Sequence, residues 1–269
     1  LVLNSTSLNS GHNWQFTARS MGEPPSQIDG EIDSNTRYRR MYYEHTPTAD
    51  LQKYRLGYAV AASACVPGLF EPLTIADLYQ DKIVRLVDGG VHDNQGVAGL
   101  LDEGCTRILC SDACGQMDDV DQPSDSRPGV VLRASSILQD RVREAEYQDL
   151  SNRLDSHALE GLFFVHTKKE LESKPLDWIN CQDPRTPVPP QDHKTSYGID
   201  RDLQKKIAGI RTDLDAFTEV EAYAIMASGY RIAKRELELL QTQHQKEGYT
   251  DNWGGYDIDA PETNWPFRK

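Results

Sequence analysis

Short apolar runs recur along the chain, and polar or glycine-rich stretches separate them. Runs of about four to eight residues rich in branched aliphatic side chains are typical of buried β-strands. The pattern therefore predicts strands in the segments LVLNST, EPLTIADLY, KIVRLVD, TRILCSDA and ALEGLFFVHT.

Two short segments in the first half have helical patterns instead. Residues 54 to 66 are small and apolar and end at Pro67-Gly68. The segment QGVAGLLDEG is a short apolar run closed by Gly104. Proline and glycine commonly end helices, so each segment predicts one short helix.

Longer helical patterns lie in the second half. Residues 202 to 242 are one, and Thr218 with Glu221 forms a T-x-x-E capping box there. Residues 9 to 50 and 168 to 198 are polar and predict surface loops. Residues 129 to 155 place six apolar side chains near one helical stripe: Val130, Ala134, Ile137, Leu138, Val142 and Ala145.

Strand, short helix and strand follow one another between residues 83 and 112, which is the order of a βαβ unit. Such units build parallel sheets covered by helices. We therefore expect an α/β fold with a mainly parallel central sheet flanked by helices. Residues 1–242 are expected to form this unit, and residues 243–269 a polar, loosely ordered tail.

The charge excludes some partners. Acidic residues number 42 and Lys plus Arg 29, which gives a net charge of −13. A chain this acidic is a poor ligand for nucleic acid and is not attracted by its overall charge to anionic lipid, although a local apolar patch could still contact a membrane. No apolar run approaches the roughly 20 residues that a membrane-spanning helix needs.

The five cysteines contain no C-x-x-C pair, and the acidic segment DGEIDSN lacks the spacing of a calcium loop, so we expect no metal site.

Asp88 is the main candidate for chemistry. It ends an apolar run and is followed by Gly89 and Gly90, which allow a sharp turn or a close backbone approach. A buried carboxylate needs a partner, and the end of a strand is a common place for a catalytic group. An ordinary Asp-Gly-Gly turn explains the same residues, and both interpretations stay open on these grounds.

Several segments resemble patatin-like phospholipases. The segment LVDGGVHDNQGV is similar to the Asp-Gly-Ala/Gly motif of that family and its following loop. LVLNSTSLNSGHNWQF resembles a strand and loop of the family, and AVAASACVPGLFEPL resembles its Ala-Ser-x-Ala-x-Pro segment. IRTDLDAFTEVEAYAIMASGY resembles a C-terminal helical region of bacterial members.

The resemblance implies a lipid acyl hydrolase with a Ser–Asp dyad, in which Asp88 is the general base. Asn94 and Gly96 would shape the loop beside it. The nucleophilic serine is expected in a G-x-S-x-G elbow upstream of Leu1, so the chain is expected to be the C-terminal part of the domain and inactive alone. The implied substrate is a phospholipid or another acyl-ester lipid, and no metal or organic cofactor is expected.

Other interpretations remain open. The chain could be a non-catalytic lipid-binding or scaffolding module, or part of a hydrolase of soluble esters or thioesters. His92, His157, His166 or His193 could complete a triad, and Ser63 is expected to pack rather than react. The protein would lie in the cytoplasm or at a membrane surface.

Two groups of side chains in the early loop could contact lipid. The first is expected to pack on the core and consists of Trp14, Phe16, Met41, Tyr42 and Tyr43. The second is expected to be solvated and consists of Arg37, Arg39 and Arg40.

Overall fold

A computed structural model describes residues 1–25, 31–114, 117, 120–171, 192–210 and 216–246, with side chains as far as residue 242. The chain divides into two compact units. One consists of Leu1–Ile108 with Gln116–Leu162, and the other of Leu109–Gly115 with Phe163–Lys269.

The first unit contains a curled sheet of six strands that resembles half a barrel. All of its neighbouring strands are antiparallel. The expected mainly parallel central sheet is therefore wrong, and the fold is a mixed α/β arrangement. In spatial order the strands are β4 (Met41–Tyr42), β3 (Ser20–Gly22), β2 (Asn13–Phe16), β1 (Leu3–Ser7), β6 (Lys82–Asp88) and β5 (Leu73–Tyr79).

Short connections explain the antiparallel pairing. Only Gln80 and Asp81 separate β5 from β6, and Asp81 has the left-handed backbone (φ 58°) that tight hairpins use. A two-residue connection joins antiparallel strands, whereas parallel neighbours need a crossover of a dozen or more residues. Strand β7 (Arg107–Asp112) does not join this sheet but forms a parallel pair with β8 (Gly161–His166). All five predicted strands are present. The predicted βαβ unit is not, because β7 does not join the sheet that contains β6.

The early polar segment is not the surface loop that its composition suggests. Residues 9 to 50 include β2, β3, β4 and the short helix α1 (Ala49–Gln52). Every residue of β2 is buried, including the polar Asn13 and Gln15. Polar side chains that are hydrogen-bonded in the interior hid this strand from a pattern based on hydrophobicity.

The core of the first unit lies between the sheet and helix α2 (Leu56–Ser63). Two small residues of α2, Ala59 and Ala62, are buried, which lets the helix approach β1 and β6 closely. The same cluster includes Trp14, Phe16, Met21, Ile75, Leu78, Val84 and Leu86.

Helices α3 (Val97–Asp102) and α4 (Arg127–Asp155) complete the first unit. The Ser126 side chain caps α4 by accepting from the Gly129 amide at 3.2 Å. The predicted helix is confirmed, but its apolar stripe is not a buried one, because Val130, Ile137 and Leu138 are exposed.

The second unit contains α5 (Arg201–Ala208) and α6 (Glu219–Lys246). The helical stretch predicted over residues 202–242 is thus two helices. The predicted capping box is confirmed: Thr218 N donates to Glu221 Oε2 at 2.8 Å, and Glu221 N donates to Thr218 Oγ1 at 3.3 Å. Most of the predicted loop over 168–198 and of the tail over 243–269 lies outside the described residues.

No helix in the described ranges is both long and apolar enough to cross a membrane.

Candidate functional site

Asp88 is the last residue of β6, and its backbone is held on two sides. Its N–H donates to the carbonyl of Cys65 at 2.9 Å, and its carbonyl accepts from Thr6 Oγ1 at 2.9 Å. Across the sheet it pairs with Ser5 of β1. The position of the Asp88 Cα atom is therefore fixed by both a neighbouring strand and the segment that follows α2.

The carboxylate of Asp88 has one hydrogen-bond partner among the described residues, the Gly90 amide, which donates to Oδ1 at 2.7 Å. The side chain is half-buried. Burial raises the pKa of Asp88, and the Gly90 hydrogen bond offsets part of that rise. The expected partner of the carboxylate is therefore the Gly90 amide. A carboxylate with a raised pKa is a stronger base than an exposed aspartate, which suits proton abstraction.

Gly89 and Gly90 allow neighbouring atoms to lie close to the backbone, and neither adopts a left-handed conformation. A Cβ on Gly89 would lie 2.6 Å from the Asn4 carbonyl oxygen. A Cβ on Gly90 would lie 2.5 Å from Asn94 Oδ1. The carbonyl of Gly89 also accepts from the amides of His92 and Asp93, at 3.0 and 2.9 Å. The loop after Asp88 is thus a tight turn, in which a side chain at Gly89 would clash with the β1 backbone and one at Gly90 would displace the Asn94 side chain.

Asn94 and Gly96, the other two predicted loop residues, lie between the Gly89–Val91 turn and α3. Asn94 Oδ1 lies over Gly90, and Gly96 adopts the left-handed conformation (φ 71°) immediately before α3. Both residues therefore lie in the loop beside Asp88, and their part in the site stays a prediction.

Asp93 is a functional candidate that the sequence reasoning missed. It is 3% exposed, and its two oxygens accept from the amides of Val97 (3.0 Å) and Ala98 (3.1 Å) in the first turn of α3. A carboxylate there satisfies amides that lack helical partners. An acid shortly before a predicted helix was the available signal.

Glu146 of α4 was also missed. Its carboxyl group is half-buried within electrostatic reach of Asp93, and its Oε2 atom is buried with no hydrogen-bond partner among the described residues. Burial, followed by the charge of Asp93, raises the pKa of Glu146 to about 8. No sequence signal links Glu146 to a loop some fifty residues earlier, because only the packing of α4 brings them together.

The structure does not support a histidine triad at Asp88. No described histidine is hydrogen-bonded to its carboxylate, and His92, the nearest in sequence, is exposed. His193 pairs instead with Asp200 of the second unit, Nε2 to Oδ2 at 2.7 Å. His157 follows α4, and His166 ends β8.

Two serines, Ser5 and Ser63, are at least half-buried in the fold. Ser5 faces Asp88 across the sheet, but it is fully buried and its Oγ has no hydrogen-bond partner among the described residues. A hydroxyl in that position cannot meet a substrate. Ser63 is the half-buried last residue of α2, which fits the expected packing role.

The early aromatic and basic groups mostly pack within the fold. Trp14 and Phe16 are core residues, Met41 and Tyr43 pack partly against the core, and Tyr42 is exposed. Arg40 donates to Gln15 Oε1 at 3.2 Å. Lipid contact by the two buried aromatic side chains is therefore excluded.

Possible metal ligands do not gather in the described ranges: no group of three or more His, Cys, Asp or Glu side chains there could hold an ion.

Comparisons with known proteins assign no family. No model of a known protein family matches the chain, and no curated protein matches it.

Proposed function

We propose that this chain supplies the general base of a lipid acyl hydrolase, with Asp88 as that base and a phospholipid or a related acyl-ester lipid as the substrate. The observation that carries the proposal is the state of the Asp88 carboxylate. It is half-buried, has a raised pKa and, in the part of the chain that the structure describes, a single amide donor, and it stands at the end of a fixed strand. The resemblance of the surrounding segments to patatin-like phospholipases supports the choice of reaction.

In the proposed reaction, the Asp88 carboxylate takes the proton of a serine hydroxyl while the serine oxygen attacks the ester carbonyl. The tetrahedral intermediate collapses, the ester C–O bond breaks, and the proton passes from Asp88 to the departing alcohol. A water molecule then gives a proton to Asp88 and attacks the acyl-serine. Collapse of the second intermediate releases the fatty acid, and the proton returns to the serine oxygen.

The nucleophilic serine is the part that the described residues do not supply, since none of their serine hydroxyls is hydrogen-bonded to the Asp88 carboxylate. We propose that it lies upstream of Leu1 in a longer polypeptide. The whole protein would work in the cytoplasm or at a membrane surface.

No described serine hydroxyl is hydrogen-bonded to the Asp88 carboxylate. This observation favours a second candidate function, a lipid-binding module without catalysis. In that case the tight loop after Asp88 would serve binding or stability, and no serine would ever reach the carboxylate. The two candidates differ in whether the extended polypeptide turns over an ester.

The test is hydrolysis of a dispersed phospholipid by the upstream-extended polypeptide. Asp88→Asn should reduce the rate by about 10²–10⁴-fold, because the base is lost while the hydrogen bond from Gly90 can be kept. The matched control is Asp81→Asn, at an exposed hairpin position whose left-handed backbone suits asparagine. Binding of the lipid without turnover would favour the module, and equal rates in both variants would contradict Asp88 as the base.

A further inference from the structure

We propose that Thr6 is a positioning residue for the proposed base: its hydroxyl holds the peptide group that follows Asp88 and thereby sets the direction in which the Asp88 carboxylate points. The catalytic consequence of this inference rests on the proposed function. Its effect on the geometry of Asp88 can be measured in the chain itself, without hydrolysis.

Strand β1 has an unusual composition for its place in the sheet. It lies between β2 and β6, yet its last three residues are Ser5, Thr6 and Ser7, and all three are buried. A valine has the shape of a threonine and suits a buried strand at least as well, so the buried hydroxyl of Thr6 needs a reason. Its Oγ1 donates to the Asp88 carbonyl oxygen at 2.9 Å, while Thr6 is only 4% exposed.

Two peptide groups flank the Cα atom of Asp88, and each is held by a hydrogen bond from outside β6. The N–H of the first donates to the Cys65 carbonyl at 2.9 Å, and the carbonyl of the second accepts from Thr6 Oγ1. Peptide groups are planar, so holding both planes fixes the backbone dihedral angles of Asp88 (φ −43°, ψ 137°). The direction of the Asp88 Cα–Cβ bond is fixed with them.

The peptide group that Thr6 holds also leads to the donor of the carboxylate. It joins Asp88 to Gly89, and the amide of the next residue, Gly90, donates to Asp88 Oδ1 at 2.7 Å. A rotation of this peptide group would therefore move the Gly90 amide relative to the carboxylate. The hydrogen bonds from Asp88 to Cys65 and from Gly90 to Asp88 use backbone N–H groups, so Thr6 is the point at which a substitution can test the arrangement.

Thr6 is itself held firmly enough to orient another group. It is paired with Asn13 of β2 on one side and with Val87 of β6 on the other. A β-branched side chain has few rotamers, so the hydroxyl loses little conformational freedom when it binds the Asp88 carbonyl. The hydrogen bond therefore joins the loop after Asp88 to a rigid strand.

The structural experiment compares Thr6→Val with Thr46→Val by NMR of the full chain. Thr46 is a matched control, because it is 3% exposed and its hydroxyl also donates to a backbone carbonyl, that of Tyr43, at 2.7 Å. It follows β4, at the edge of the sheet, with three strands between β4 and β6. Thr6→Val should raise the hydrogen-exchange rate of the Gly90 amide about tenfold, which corresponds to one ordinary hydrogen bond, and Thr46→Val should not.

A second readout is the titration of the Asp88 carboxyl group, followed by its ¹³C signal. The Gly90 hydrogen bond lowers the pKa of Asp88, so a weaker bond in Thr6→Val should raise the titration midpoint. Thr6→Ser retains a hydroxyl and should recover most of both changes. Equal effects of Thr6→Val and Thr46→Val on Gly90 and Asp88, or no recovery in Thr6→Ser, would overturn the proposal.

The catalytic experiment measures ester hydrolysis by the upstream-extended polypeptide. Thr6→Val should lower kcat by about 10–10²-fold with little change in KM, because the base is misplaced while the lipid site is intact. Thr6→Ser should recover most of that loss, and Thr46→Val should keep the original kcat. If Asp88→Asn lowers the rate and Thr6→Val does not, Thr6 has no positioning role. If Asp88→Asn leaves the rate unchanged, the proposed function fails instead, and the NMR result alone decides whether Thr6 orients Asp88.

Discussion

At the scale of single residues, the site is set by what surrounds Asp88 rather than by Asp88 alone. Among the described residues the carboxylate has one amide donor, and a side chain at Gly89 would clash with the backbone of Asn4. A rigid base with few hydrogen bonds keeps its basicity, because each donor to a carboxylate lowers its pKa. Gly89 therefore serves the chemistry indirectly, because it lets the loop lie against β1.

Gly89→Ala tests this crowding. The added Cβ would meet the Asn4 carbonyl oxygen at 2.6 Å, and because that neighbour is backbone the strand itself must shift. We expect a loss of about 1–3 kcal/mol in the free energy of unfolding, measured by urea denaturation. The control is Gly57→Ala in α2, where nothing lies within 4 Å and a small gain is expected. Equal effects of the two substitutions would contradict the crowding argument.

At the scale of elements, local sequence signals predicted the positions of strands and helices well, but they did not predict the direction in which the strands pair. Strands β1, β5, β6, β7 and β8 and helices α2, α3 and α4 all lie where apolar runs and terminating residues indicated. The direction of pairing was missed because a two-residue hairpin between β5 and β6 has no strong turn motif; its residues are Gln80 and Asp81. Strand β2 was missed because Asn13 and Gln15 are buried polar residues.

The confirmed capping box of α6 gives the prediction at this scale. Thr218→Ala removes the hydroxyl that accepts from the Glu221 amide at 3.3 Å. We expect it to destabilise the chain by about 0.5–2 kcal/mol, measured by denaturant unfolding. Thr242→Ala is a suitable control, since its hydroxyl donates only to the Glu238 carbonyl, which lies four residues earlier in the same helix. A loss from Thr242→Ala as large as that from Thr218→Ala would show that the cap has no special role.

At the scale of the whole molecule, five of the seven candidate site residues were predicted from the sequence. Asp88, Gly89, Gly90, Asn94 and Gly96 lie within one nine-residue stretch. Glu146 could not be found in this way, because its role depends on the packing of α4 and on a neighbour that is itself charged.

The half-buried carboxyl group of Glu146 also affects global stability. The folded-state pKa of Glu146 is raised from 4.5 to about 8, so its contribution is fully present below pH 4.5 and is lost as the pH rises towards 8. Glu146→Gln does not titrate, so its advantage over the original chain should grow across that window. Because the group is partly exposed, we expect a change of only about 1–2 kcal/mol, measured by urea unfolding at pH 5 and pH 8.5. A difference that stays constant between the two pH values would contradict the raised pKa of Glu146.

The most direct test of Asp88 as the base is the intact mass of the protein after treatment with a fluorophosphonate that labels activated serines. We predict no adduct on residues 1–269, and one adduct on the upstream-extended polypeptide that disappears in Asp88→Asn but remains in Asp81→Asn. An adduct on residues 1–269 would contradict the account, because the reactive serine would then lie within this chain. An adduct on the extended Asp88→Asn variant, formed at an unchanged rate, would show that another group activates the serine.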